Sequence, residues 1–222
     1  MKRKLYIRIC KTGSTSLSTA FNRSVIEVTA SKKYKKVFEK YSYDYRFTFI
    51  RNPYDRIVSA YNMLIKSSKA KDFYKAFDKK DIIDIPFNDF LHKILEYRES
   101  YRELGLEKEK NIHLRPWRKK REIRKNRYAC EVFWLLAHTE SMVDSIEYFI
   151  PVSELDFIGR FESLNDDYNS ICRYLGTDSK LPQLNVSKNR KKYIDYYDDE
   201  SLELVTGMYR DDIETFNYSF GQ

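Results

Sequence analysis

Hydrophobic and polar positions change period repeatedly along the first sixty-odd residues. Leu5 to Ile9 alternates and is rich in β-branched and aromatic side chains, which predicts a strand. Leu17, Ala20 and Phe21 then fall at helical spacing. The stretch 24–30, "SVIEVTA", predicts a second strand, and residues 31–42 predict a charged helix. Tyr45 to Ile50 reads as a buried strand. Asn52 and Pro53 break it, and Pro53 suits the first turn of a new helix carrying Ile57, Ala60, Tyr61 and Leu64. Such alternation of strands and helices predicts an α/β fold with a central parallel sheet flanked by helices. The middle, about 70 to 150, reads as a mostly helical elaboration. Residues 155–164 predict a short strand and a turn, and the following helix can end at Gly176. Ser201 to Phe216 reads as one helix with Leu202, Val205, Met208 and Tyr209 on one face. Ligands of parallel sheets bind beyond the carboxyl ends of the strands. Lys11, Glu27 and Arg51 all fall near such ends.

Composition narrows the picture. The 222 residues are 42% hydrophobic, with only 6 glycines and 5 prolines, so they suit a single folded domain spanning 1–222. The net charge of +8 favours anionic partners: a nucleotide, an acidic glycan, nucleic acid or an anionic membrane. Nineteen tyrosines suit sugar stacking and ordinary packing alike. Cys10, Cys130 and Cys172 form no C-x-x-C pair, so neither a disulfide framework nor a zinc site is indicated. A reducing compartment follows as the simpler expectation. Lys2, Arg3 and Lys4 precede no apolar signal-peptide core, and no apolar run is long enough to span a bilayer.

The candidate chemistry starts at "RICKTGSTSLSTAF", Arg8 to Phe21. A strand, a loop with lysine and glycine, and a hydroxyl-rich helix start bring unpaired backbone N–H groups and a helix's positive end to one point. That point suits an anion, phosphate above all. Lys11 adds a mobile charge and Gly13 allows close approach. A Ser/Thr-capped helix start is the alternative. The loop is not a Walker motif, because its lysine comes before the glycine and no glycine precedes Lys11. That counts against an ordinary kinase or GTPase.

Five segments, "KTGSTSL", "TFIRNPYDRIVSAY", "DFIGRFESL", "LPQLNVSK" and "YRDDIETFNY", occur in the order seen in family-2 sulfotransferases. The chain resembles the carbohydrate sulfotransferases that use PAPS (3′-phosphoadenosine 5′-phosphosulfate), most weakly between about 65 and 130. The resemblance implies their P-loop-like fold, PAPS as donor, PAP (adenosine 3′,5′-bisphosphate) as product and no metal. It implies that Lys11, Thr12, Gly13, Ser14, Thr15 and Ser16 hold the 5′-phosphosulfate, and that Arg51 and Ser59 grip the 3′-phosphate. Arg51 could instead be an ion pair with Asp55, and Ser59 a small residue at a helix crossing. "NVSKNRKKY" resembles the family's nucleotide-covering loop, with Lys188 and Arg190 as phosphate contacts, or else a solvated basic turn. Where the family's first strand usually carries His and Pro, this chain has Arg8 and Cys10.

Sulfuryl transfer needs positioning, stabilisation of the leaving oxygen and a base for a sugar hydroxyl. Lys11 suits the leaving oxygen. Many family members place histidine in "H-x-T-A"; here the segment is "EVTA", and Glu27 takes that position. Glu27 is therefore the first candidate base, with a structural ion pair as its alternative. His138 in "HTESM" is the second, matching the family's histidine segment better than His113 does. His92 in "FLHKIL" reads as a residue on a packed or solvated helix face. The basic run Arg115 to Arg127 reads as a solvated face or as a platform for an anionic glycan or membrane surface; with one aromatic, Trp117, it disfavours nucleic acid. The expected acceptor is a carbohydrate, polysaccharide or glycolipid. The competing class is a non-catalytic anion- or nucleic-acid-binding module that keeps the loop. Animal members of the family carry a membrane anchor and work in the Golgi; the expectation here is a bacterial cytoplasmic enzyme, with membrane association left open.

Overall fold

A computed structural model describes residues 3–22, 24–30, 32–66, 84–103, 135–184 and 191–222. Four strands, β1 (Lys4–Ile7), β2 (Ile26–Val28), β3 (Tyr45–Ile50) and β4 (Phe157–Arg160), form one sheet in the order β2-β1-β3-β4. Every pairing is parallel. The intervening helices are α1 (Ser14–Phe21), α2 (Lys32–Glu39), α3 (Pro53–Tyr61), α4 (Phe87–Glu103), α5 (Met142–Glu147), α6 (Leu164–Leu175), α7 (Asp199–Met208) and α8 (Arg210–Phe216). The mixed α/β fold with a parallel sheet is the one the pattern predicts.

Strand alternation divides the core. Leu5, Ile7, Val28 and Ile50 face one side, where Met142, Ile146, Phe149 and Phe216 cover them and α2 adds Tyr34, Val37 and Phe38. Tyr6, Phe47 and Phe49 face the other, under Leu17 and Phe21 of α1 and Tyr168 and Ile171 of α6. Each such fully buried side chain stabilises the fold by about 1.5–3 kcal/mol. Gly159 in β4 is required by this packing, since a Cβ there would lie 2.4 Å from the Phe49 ring. A third cluster joins α3, α4 and α7 through Tyr61, Leu64, Phe90, Ile94, Val205 and Tyr209.

Three elements differ from the pattern. β2 is shorter than 24–30, because as an edge strand it pairs only alongside β1, from Leu5 to Ile7. The last helix is two, α7 and α8. The break falls at Tyr209, whose buried ring turns inward and whose hydroxyl donates to the Thr139 carbonyl at 2.7 Å. In the middle, α4, residues 135–139 and α5 are helical, as expected. The remainder of that elaboration, including Cys130, His113 and the basic run Arg115 to Arg127, lies outside the described residues.

The strand order places a topological switch between β1 and β3. The chain leaves β1 toward β2 on one side, then crosses to β3 and β4 on the other. A crevice at the carboxyl ends of β1 and β3 is where such sheets bind ligands. The segments entering it are Arg8 to Gly13 and Arg51 to Asn52.

Candidate active site

The loop after β1 is built from two left-handed residues. Lys11 has φ 72° and Gly13 has φ 75°, with Thr12 between them. Thr12 is fully buried, and its hydroxyl donates to the Ile9 carbonyl at 3.0 Å, which pins the turn from inside. Gly13 caps α1 with no side-chain hydrogen bond, and the first backbone bond of the helix runs from Leu17 to the Gly13 carbonyl at 3.1 Å. A Cβ on Gly13 would meet Leu164 at 2.9 Å, so glycine is required there by space as well as by φ. The N–H groups of Ser14, Thr15 and Ser16 therefore form the uncapped positive end of α1. Ser14 and Ser16 are buried and Thr15 is exposed. Ser16 Oγ accepts from the Leu184 N–H at 3.2 Å, so the segment "LPQL" hangs from the start of α1.

Two buried arginines bolt this loop to α3. Arg51, 4% exposed, follows β3 and donates to the Lys11 carbonyl at 3.0 Å. Its Nε and Nη2 both reach Asp55 Oδ2, at 2.8 and 2.6 Å, and its guanidinium stacks 3.9 Å over the Phe161 ring. The Asp55 pair foreseen as the alternative role of Arg51 is thus present, in the same geometry that turns Arg51 toward the loop. Arg56, 2% exposed, donates to the Cys10 carbonyl at 3.1 Å and to the Glu140 carbonyl. Asp212, fully buried, lies 3.9 Å from Arg56 and accepts from Ser141 Oγ and the N–H groups of Met142 and Val143 at 2.7–2.9 Å. Asn52 caps α3 by accepting from the Tyr54 N–H, and its own N–H donates to Glu162 at 2.7 Å. Arg56, Glu162 and Asp212 escaped the sequence reading. An arginine inside the apolar run of α3 was the one available signal.

Ser59 is half-buried on α3, and Met63, one turn beyond it, has its sulfur 3.5 Å from the Lys11 ammonium. Lys11 thus reaches the helical segment one turn beyond Ser59, and Arg51 meets the Lys11 carbonyl. Beside Asp55, the partner of Arg51, is a cavity of about 390 Å³ lined by Asp55, Lys191, Lys192, Tyr193, Ile194 and Gly221. Lys191 to Tyr193 close the "NVSKNRKKY" segment; Lys188 and Arg190 lie outside the described residues. Cys10 precedes Lys11, and burial pushes its thiol up despite the nearby cations Arg8, Arg56 and Lys11. A protonated thiol there is a spacer, not a nucleophile.

Glu27 stands one strand away from the Lys11 loop. It is the register partner of Tyr6 and pairs with Arg8, Nη1 to Oε1 at 3.1 Å. The two side chains remain 32% and 29% exposed. The ion pair foreseen as the alternative role of Glu27 thus exists, with arginine in place of lysine. His138 is half-buried in the helical segment 135–139. Two residues on, the Glu140 carbonyl meets Arg56, which also holds the Cys10 carbonyl beside the loop. His92 is exposed and sits 3.0 Å from Glu200, as its helix-face reading requires. Among the described residues, no cluster of His, Cys, Asp and Glu could hold a metal ion, and no helix is long and apolar enough to cross a membrane.

A family model described as "Sulfotransferase family" matches residues 3–219. The chain belongs to the family-2 sulfotransferases. No curated protein and no solved structure matches it. Membership supports sulfuryl transfer as the general activity of this sulfotransferase and implies an acceptor substrate. Its loop, its parallel sheet and its switch-point crevice now belong to one enzyme class.

Proposed function

We propose that residues 1–222 act as one PAPS-dependent sulfotransferase domain that transfers to a hydroxyl of a carbohydrate, either a polysaccharide or a glycolipid. The observation that carries this reading is the convergence of the uncapped α1 terminus, Lys11 and Arg51 at the switch point. The cradle fits the donor's anionic ends: backbone N–H groups and Lys11 at one end, Arg51, Ser59 and the lysine-lined cavity at the other. Lys188 and Arg190 complete the phosphate contacts in this proposal.

When bound, PAPS supplies an activated sulfuryl group on a phosphate oxygen. The acceptor oxygen forms the new S–O bond as the bond to that phosphate oxygen breaks, and PAP departs. Lys11 stabilises the charge growing on the leaving oxygen, an electrostatic role that needs no proton transfer. Glu27 takes the acceptor's hydroxyl proton, and His138 is the second candidate for that step.

Two measurements test the reading. PAP at a hundredfold excess over its Kd should raise stability by about 2.7 kcal/mol, with ATP doing much less because it lacks the 3′-phosphate. Equal thermal shifts with both nucleotides would remove the 3′-phosphate assignment. Labelled PAPS offered with polysaccharides, glycolipids and small phenols should give a labelled glycan. Tight PAP binding with no turnover on any acceptor would instead identify a non-catalytic binding module.

A further inference from the structure

Arg8 occupies the strand end beside the candidate base, and nothing in the reaction as described uses it. Its guanidinium is held by Glu27 through Nη1, while its Nε is buried without a hydrogen-bond partner among the described residues. A buried, unsatisfied donor is costly, so stability alone is a poor reason for an arginine here. On Glu27 the bond occupies Oε1, and no partner of Oε2 is present among the described residues. One oxygen is thus fixed and the other is left for a hydroxyl.

We propose that Arg8 is a positioning residue for Glu27, clamping one carboxylate oxygen so that the other faces the acceptor. The proposal rests on Glu27 being the base. Arg8 is suited to the task because it stays a cation: burial works to lower its pKa, but Glu27 and other neighbours leave it raised. Among the described residues, few other titratable groups stand around the pair. Tyr6, from β1, has its phenol pushed well up by burial and stays protonated. Cys10 acts electrostatically on both Arg8 and Tyr6. α1, packed on the same face through Leu17 and Phe21, brings the hydroxyls of Ser14, Thr15, Ser16, Ser18 and Thr19 and no charge. α2 packs on the opposite face through Tyr34, Val37 and Phe38. Arg8 is the cation bonded to Glu27.

The test uses the full chain with labelled PAPS and the acceptor found in the screen. Arg8→Met should lower kcat on the order of 10–100-fold with acceptor KM and PAP affinity little changed, and Arg8→Lys should restore most of the wild-type rate. In the Glu27→Gln background the same Arg8→Met change should cost little more, because a positioning residue acts only through the group it positions. An unchanged kcat in folded Arg8→Met, or its full loss repeated in the Glu27→Gln background, overturns the proposal; Arg8→Gln replaces the methionine variant if that one does not fold. A Glu27→Gln enzyme that keeps its activity overturns the Glu27 reading, and the catalytic role of Arg8 with it, while leaving the pair itself intact.

Discussion

The two halves of the crevice are held in opposite ways. On the β3 side, Arg51 and Arg56 are almost wholly buried, each fixed to a loop carbonyl and to a carboxylate or second carbonyl. On the β2 side, Arg8 and Glu27 are about one-third exposed and meet through a single bond. A buried network strongly resists loss of any member, whereas a half-exposed pair contributes about 0.2–1 kcal/mol. In the proposed reading the first half keeps the donor cradle in shape, and the second, half-exposed and weakly tied to the fold, is where the acceptor would meet its base.

The sharpest way to break this contrast is at Glu27. Glu27→Gln keeps the shape and should lower turnover on the order of 10²–10⁴-fold, with PAP affinity within a few-fold. Steady-state kinetics with labelled PAPS checks this, and His138→Ala should cost less. If the histidine variant is the dead one, the open half of the crevice is elsewhere.

Asp212 probes the buried half. Asp212→Ala leaves Arg56 without its carboxylate and the Met142 and Val143 N–H groups of α5 without their acceptor, so unfolding free energy should fall by about 3–5 kcal/mol in denaturant titration. Arg51→Ala removes a loop bolt and, in the proposed reading, a donor contact with it. PAP binding should weaken by about 2–5 kcal/mol by calorimetry, with the fold retained. Unchanged affinity would return Arg51 to a purely structural pair with Asp55.

The smallest effect is expected at Asp198, which belongs to neither half. The Ser201 hydroxyl and N–H hold its carboxyl at about 2, below the ordinary 3.8. A depressed carboxylate contributes stability above the unfolded value, and that contribution is lost as pH falls from about 4 through 2. Asp198→Asn should flatten thermal stability across that window and leave PAP binding unaltered.

The same contrast explains what was legible beforehand. Tyr45 to Ile50 was readable because aromatic and β-branched residues crowd it, with Tyr45, Phe47 and Phe49 on one face. The Lys11 loop was readable because strand, glycine, hydroxyls and helix sit within a few positions of each other. Asp55 was readable as a partner of Arg51 at i+4. Asp212 with Met142, Asn52 with Glu162 and Arg56 with Glu140 were not, because their partners lie 70, 110 and 84 positions away. No local period encodes such pairs. The division at Tyr209 was hidden for a related reason: its ring and hydroxyl answer to Thr139, not to their own helix.

The φ of 72° at Lys11 has one more consequence. A left-handed backbone costs a lysine roughly 1–2 kcal/mol, and glycine would escape that cost. Glycine would also loosen the unfolded chain by a comparable amount, so Lys11→Gly should leave thermal stability nearly unchanged. A library sorted for folded protein alone would let this position drift to glycine freely. The same library sorted for labelled product would hold the lysine, and comparing the two sorts would separate what the loop needs to exist from what it needs to work.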